Sequence, residues 1–171
     1  MDFHYQSPWF IEALEKEKKL TVNELNLNLN CDICIIGGGY TGLWTAIKIK
    51  EKKPHLNIVL IEKDLCGSGA SGRNGGCMIP QSTKFQGIRD VVGVDDAKKM
   101  VLSTEAAVKN IKDFCSENKI NAEIRDDGIL YGATNIFHKG AFEGLIRDLN
   151  EHNINSWERL SKEKVQDLTR S

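Results

Sequence analysis

The chain has 171 residues, of which 40% are hydrophobic, 27% charged and three proline. Twenty-three Lys and Arg stand against 24 Asp and Glu, a net charge of −1. This composition excludes a collagenous or wholly disordered chain, and the near balance gives no bulk charge to draw nucleic acid or an anionic membrane. The length allows one domain, or one domain and part of another.

The opening stretch, MDFHYQSPWFIEALEKEKKL, lacks the basic start, apolar core and small-residue cleavage site of a secretory signal. The apolar runs around Ile33–Ile36 and Ile58–Ile61 are far too short to cross a bilayer. The cytoplasm is therefore the expected location. Five cysteines, an odd number, with no export signal, read as reduced thiols.

Residues 1–30 read as a leader that packs on something else. Ser7-Pro8-Trp9-Phe10 is an aromatic anchor, Glu12 to Lys19 suits a short charged helix with a solvated face, and Asn23 to Asn30 alternates Asn with Leu as an extended strand or loop does. Asp32 to Ile36 is a short apolar run of the kind that makes a buried parallel strand. Glycines follow at once at 37, 38, 39 and 42. Leu43, Ala46 and Ile47 then recur at helical spacing, Lys48, Lys50, Lys52 and Lys53 mark the wet face and the helix end, and Pro54 stops it. Asn57 to Glu62 is a second strand, so a βαβ unit spans about thirty residues.

A second glycine cluster has glycines at 67, 69, 72, 75 and 76, too many for a helix interior. After a loop through Pro80, Asp95 to Asn118 is the best helix in the chain. Its stripe is Ala97, Met100, Val101, Thr104, Val108, Ile111 and Cys115, expected to pack on the sheet. Ala122–Arg125 and Ile129–Ala133 read as two strands of a hairpin across Asp126-Asp127-Gly128. A helix with His138, Ala141, Phe142, Leu145, Ile146 and Leu149 on one face follows. Ser161 caps a last helix that runs off the end at Ser171. A doubly wound sheet needs more than two strands, so the chain reads as the amino-terminal part of a larger protein.

The chemistry concentrates at the βαβ turn. Gly37, Gly39 and Gly42 match G-x-G-x-x-G: one for the tight turn, one for close approach of a pyrophosphate, one for helix–strand packing. The helix tip adds N–H donors for phosphate. Glu62 ends the second strand twenty residues after Gly42, where a carboxylate accepts hydrogen bonds from an adenosine ribose. An acid there disfavours a 2′-phosphate, so NADP is the poorest candidate. This logic does not separate FAD from NAD. The second glycine cluster reads either as a donor-rich loop beside a large ring system or a phosphate, or as a mobile surface loop.

The pattern CDICIIGGGYTGLWTAIKI, then IVLIEKDLCGSGASGRNGG, resembles the FAD-dependent D-amino-acid-oxidase-like superfamily, and within it the amine oxidoreductase branch with the γ-glutamylputrescine oxidases. Ser7-Pro8-Trp9 is similar to that branch too. The resemblance is strongest over residues 31–77. It implies an α/β fold: a Rossmann-like βαβ FAD-binding domain, a parallel sheet with flanking helices, plus the beginning of an α+β substrate domain. It implies that Gly37, Gly39, Tyr40, Thr41 and Gly42 bind the FAD pyrophosphate, and that Glu62 and Lys63 border the adenosine ribose. Ala70, Ser71, Gly72, Arg73, Asn74, Gly75 and Gly76 would line the path toward the isoalloxazine. The expected domains are 1–30 leader, 31–84 FAD-binding, and 85–171 the start of the substrate domain.

The implied function is oxidation of a C–N bond in an amine or amino acid, by hydride transfer to flavin. Family members are considerably longer, and the groups that grip substrate would lie mostly beyond Ser171, so no catalytic residue is assigned. The expected partner is a small amine or amino-acid substrate, with a second chain supplying the missing half as a further option. Two rivals stand beside this reading: an NAD-linked dehydrogenase domain, and a non-catalytic fragment or subunit that needs a partner chain.

Other residues carry plainer readings. Cys31 and Cys34 have C-x-x-C spacing, but strand positions three apart face opposite ways, and neither a second pair nor a nearby histidine completes a zinc site. Both read as buried thiols, and no metal is expected. Cys66 and Cys77 flank the second glycine loop as spectators, with a redox or attachment role as the sharper alternative. Arg73 is either a cation facing a phosphate or flavin oxygen, or a solvated loop arginine. His138, on an apolar helix face, reads as packed, and Trp44 as core.

Overall fold

The computed structural model describes residues 7–17, 24–133 and 135–170. The expected positions Lys18, Lys19, Asn23 and Ser171 lie outside them. The chain divides into two units, Met1–Cys77 and Met78–Ser171.

In the first unit, helix α1 (Pro8–Lys16) begins because Ser7 caps it, its side chain accepting from the Phe10 N–H, with Pro8 at the first helical position. Strand β1 (Ile33–Ile36) pairs in parallel with β2 (Ile58–Ile61) in the register Ile33↔Ile58 to Ile36↔Ile61. Helix α2 (Tyr40–Lys52) makes the crossover. Asp32 pins the start of the ladder: its carboxylate accepts the Asn57 N–H at 2.7 Å. Lys50 closes the end of α2 by donating to the carbonyls of Pro54 and Leu56.

The strands are less covered than a buried parallel pair would be. In β1, Ile33 and Ile35 are half-buried while Cys34 and Ile36 are exposed, Ile36 by 84%. The expected burial of Cys34 is thus corrected. Parallel sheets bury both faces only when helices cover both, and here α2 packs on β1 and β2. All five cysteines are free thiols, with Cys34, Cys66 and Cys77 exposed.

The second unit is helical. A 3-10 turn at Gln81–Lys84 leads into helices α3 (Phe85–Val92) and α4 (Val94–Glu117), and a second at Ile136–His138 precedes α5 (Glu143–Glu151) and α6 (Lys162–Thr169). Sequence reading missed α3, although Phe85, Ile88 and Val92 recur at helical spacing. Gly93, at φ +82°, separates it from α4. Phe85, Ala97, Val101, Leu145, Leu149 and Ile154 form the buried cluster, with Ile88, Phe142 and Trp157 packed against it. The stripe of α4 therefore meets helices of its own unit. Of that stripe, Ala97 and Val101 enter this cluster, and Met100 within it is 48% exposed.

Three further expectations change. Residues 122–133 form no strand. Glu123 sits at φ +50°, which interrupts an extended run. Asp126 pairs with Lys112 of α4, and Tyr131 stacks on Trp157 at 4.9 Å between ring centroids. Side-chain anchoring, not ladder pairing, holds this segment, as suits a lone hairpin with little intrinsic stability. The helix expected from His138 begins only at Glu143, and His138 itself is exposed in the 3-10 turn. The last helix is capped by Ser161 but ends at Thr169, with Arg170 left-handed at φ +54°.

Two buried polar side chains, Ser82 and Asp148, find partners within the helical unit. Trp157 donates its indole N–H to the buried Ser82 hydroxyl at 3.0 Å. Asp148, buried at the foot of α5, pairs with Arg89 of α3 and lies 3.6 Å from His152.

Candidate functional site

The turn between β1 and α2 is built from close backbone approaches. Gly37 adopts φ +103°, a region open to glycine, while its N–H still donates to the Ile61 carbonyl at 2.8 Å. The chain thus turns the moment the ladder ends. Gly42 lies directly on that turn: a Cβ there would sit 2.0 Å from the Gly37 carbonyl oxygen. Only a residue without a side chain lets α2 start this close to the strand end.

The acid at the end of β2 reaches back into this turn. Glu62 accepts the buried Gly38 N–H at 2.6 Å through one oxygen and the Asp64 N–H at 3.1 Å through the other. These backbone hydrogen bonds, Gly38's first, hold its carboxyl below the usual 4.5 against the opposing effect of desolvation. Ionised, it is an acceptor only, and each oxygen keeps a lone pair for another donor.

The second glycine loop closes over the first. Gly67 donates its N–H to the Gly38 carbonyl at 2.9 Å. Tyr40, first residue of α2, donates its N–H to the Ser71 hydroxyl at 2.9 Å. A Cβ on Gly39 would lie 2.9 Å from the same hydroxyl oxygen. Ser71 therefore sits at the helix tip, accepting one of its free N–H groups and keeping its own O–H to donate. The loop is tied internally as well: Asn74 donates to the Ser71 carbonyl and accepts the Gly76 N–H, and Arg73 donates to the Ser68 carbonyl.

Gly37, Gly39, Tyr40, Gly42, Glu62 and Ser71 are thus brought together, and Asn74 braces Ser71, while Gly72 donates its N–H to the Gly69 carbonyl. Thr41, Lys63, Ala70, Arg73 and Gly75 are exposed around this cluster. Sequence reading overlooked Gly38, which lay inside the quoted triplet: its N–H holds Glu62, its carbonyl holds Gly67, and Cys66 Sγ packs where its Cβ would be, 2.5 Å away. It also overlooked Ser7 and Phe10 as neighbours of the second loop. Ser7 donates its hydroxyl to the Gly72 carbonyl, and the Phe10 ring lies 3.2 Å from a Cβ built on Gly72. Chemically, the cluster offers an ionised carboxylate for a vicinal diol and, a few residues away, a helix tip with a hydroxyl donor for an anion. Among the described residues, no three His, Cys, Asp or Glu side chains are placed to hold a metal ion, and no helix is long and apolar enough to cross a membrane.

The family described as FAD dependent oxidoreductase (DAO) matches residues 32–170. The γ-glutamylputrescine oxidoreductase of Escherichia coli (strain K12) is 29% identical over 155 residues, covering 90% of this chain and 34% of that protein. The probable oxidoreductase OrdL of Rhizobium meliloti (strain 1021) is 32% identical over 122 residues, 71% of this chain and 26% of that protein. The match spans about a third of the length of the first of these curated relatives and about a quarter of the second. No solved structure matches it.

Proposed function

The chain belongs to the FAD-dependent oxidoreductase family, whose cofactor is FAD, and we propose that its residues 31–84 hold the ADP half of FAD in an enzyme that oxidises a C–N bond of an amine or amino acid. The observation that carries this reading is the carboxylate of Glu62 held 2.6 Å from the Gly38 N–H, at the mouth of the turn that Gly37 and Gly42 compress. The residues fit the cofactor in kind. Glu62 and the neighbouring Lys63 would border the adenosine ribose, the acid accepting from its hydroxyls. Gly37, Gly39, Tyr40, Thr41 and Gly42 would face the pyrophosphate, with the Ser71 O–H as a donor. Ala70, Gly72, Arg73, Asn74, Gly75 and Gly76 would carry the second loop toward the ring system.

Bound FAD would supply the acceptor for a hydride from carbon, chemistry that the side chains here do not offer. The protein's own work is to bind and orient: Gly42 sets the height of the helix tip, Glu62 stays ionised as an acceptor, and the second loop caps the tip through Ser71. The name of the Escherichia coli relative supports an amine as the substrate class. On this reading, residues 85–171 open the substrate domain. The groups that grip the substrate belong to the part of the relatives that this chain does not match, so no catalytic residue is assigned.

Titrating the 171-residue chain with FAD, followed by quenching of flavin fluorescence, tests the reading. The chain binds FAD in preference to NADH. Gly39→Val places a branched side chain against Ser71 and the pyrophosphate path, and abolishes binding while the far-ultraviolet circular dichroism stays unchanged. FAD affinity that survives Gly39→Val, or stabilisation by NADH and not by FAD, overturns the assignment.

A further inference from the structure

The second glycine loop is tied by its own hydrogen bonds, including a 3-10 turn at Ala70–Gly72, but it has almost no apolar surface of its own to bury. Gly67-Ser-Gly-Ala-Ser-Gly72 contains no large apolar side chain, and glycine-rich backbone loses the most conformational entropy when ordered. Its inner side is fastened by two hydrogen bonds, Gly67 to Gly38 and Tyr40 to Ser71. Its outer side is fastened by helix α1. The Phe10 ring lies flush on two glycine backbones, 3.5 Å from a Cβ built on Gly67 and 3.2 Å from one built on Gly72. Ser7 grips the Gly72 carbonyl with its O–H and, with its lone pair, accepts the Phe10 N–H at 3.2 Å.

From this arrangement we propose that α1 is a strap that holds the second glycine loop in its binding conformation, with Ser7 and Phe10 as positioning residues. The inference rests on the FAD reading for its functional consequence, but not for its geometry. One hydroxyl starts the helix and holds the loop, so the two order together. A helix of nine residues is too short to persist in water by itself. Its half-buried side, Phe10, Ile11 and Leu14, needs a surface, and the backbone at Gly67 and Gly72 gives Phe10 one. A ligand that orders the loop must then also favour docking of α1, and a docked α1 must raise the affinity for that ligand by the same factor. Neither residue is required to touch the cofactor.

The test is amide hydrogen exchange on the 171-residue chain, read separately over residues 8–16, 58–61 and 67–76, together with the FAD titration. Phe10→Ala speeds exchange at 67–76 in the FAD-free protein, leaves 58–61 unchanged, and weakens FAD binding about tenfold. Phe10→Leu, which keeps an apolar cover, restores most of both. Ser7→Ala repeats the effect and Ser7→Thr, which keeps the hydroxyl, rescues it, so the test stands even if Phe10→Ala fails to fold. FAD added to the unsubstituted protein slows exchange at 8–16. Unchanged exchange at 67–76 in both Phe10→Ala and Ser7→Ala overturns the strap. Loss of FAD binding in the unsubstituted chain, with the 67–76 effect intact, overturns the cofactor reading and leaves the strap standing.

Discussion

Gly42→Ala is the most demanding check on the site. The new Cβ would stand 2.0 Å from the Gly37 carbonyl oxygen, 3.2 Å from its carbon and 3.4 Å from Ile35 Cγ2. Reaching ordinary contact at 3.4 Å means a shift of 1.4 Å. The obstacle is backbone at the end of a strand, itself tied by the Gly37 N–H to Ile61, so it cannot rotate aside as a side chain would. Overpacking of this kind costs about 1–3 kcal/mol, while alanine in place of glycine returns up to about 1 kcal/mol of helix propensity. The first effect wins, for a net loss of about 1–2 kcal/mol. The helix must also retreat, which carries the Tyr40 N–H and Gly39 away from Ser71. Urea unfolding of the first unit, followed by circular dichroism with an unchanged m-value, should show the stability loss. FAD titration should show affinity reduced at least tenfold. A variant matching the parent in both midpoint and affinity would refute the idea that close approach of α2 to the strand end seats the cofactor.

Two other outcomes follow from the same geometry. Glu62 has its folded pKa lowered below 4.5 by the N–H groups of Gly38 and Asp64, so its stabilising contribution is present above the unfolded value and is lost as pH falls through the lowered one; Glu62→Gln should therefore flatten the acid side of the stability curve below about pH 4.5, checked by urea midpoints from pH 3 to 7. In the helical unit, Phe85 is fully buried amid Ala97, Val101, Leu149 and Ile154, and Phe85→Ala should cost about 3–5 kcal/mol, read by the loss of the cooperative urea transition of that unit or a matching fall in its midpoint.

The features that were legible from residues alone are those set by short-range rules. β1, β2, α2 and α4 emerged from apolar periodicity, and the glycine turn from steric demands that act within six residues. Glu62 could be placed near the turn because a parallel crossover of known length returns a strand to its neighbour. The failures share a cause as well. Asp126-Asp127-Gly128 is a good local turn signal, but whether its flanks become strands depends on a ladder partner, and Lys112 and Trp157 supplied side-chain contacts instead. His138, Ala141 and Phe142 fit the helical stripe of α5, yet the helix begins only at Glu143.

By itself, then, the order of amino acids determined where the backbone can turn sharply and which residues repeat on one side of an element, since steric exclusion and periodicity act between near neighbours. Only the tertiary structure decided that Ser7 would hold Gly72, 65 positions away, that Ser71 would occupy the tip of α2, 31 positions back, and that Trp157 would satisfy Ser82 across 75. Each of those groups had several chemically adequate partners in the chain. Which one it met was settled by how the helices and loops packed, because a hydrogen bond selects by distance and angle and not by sequence separation.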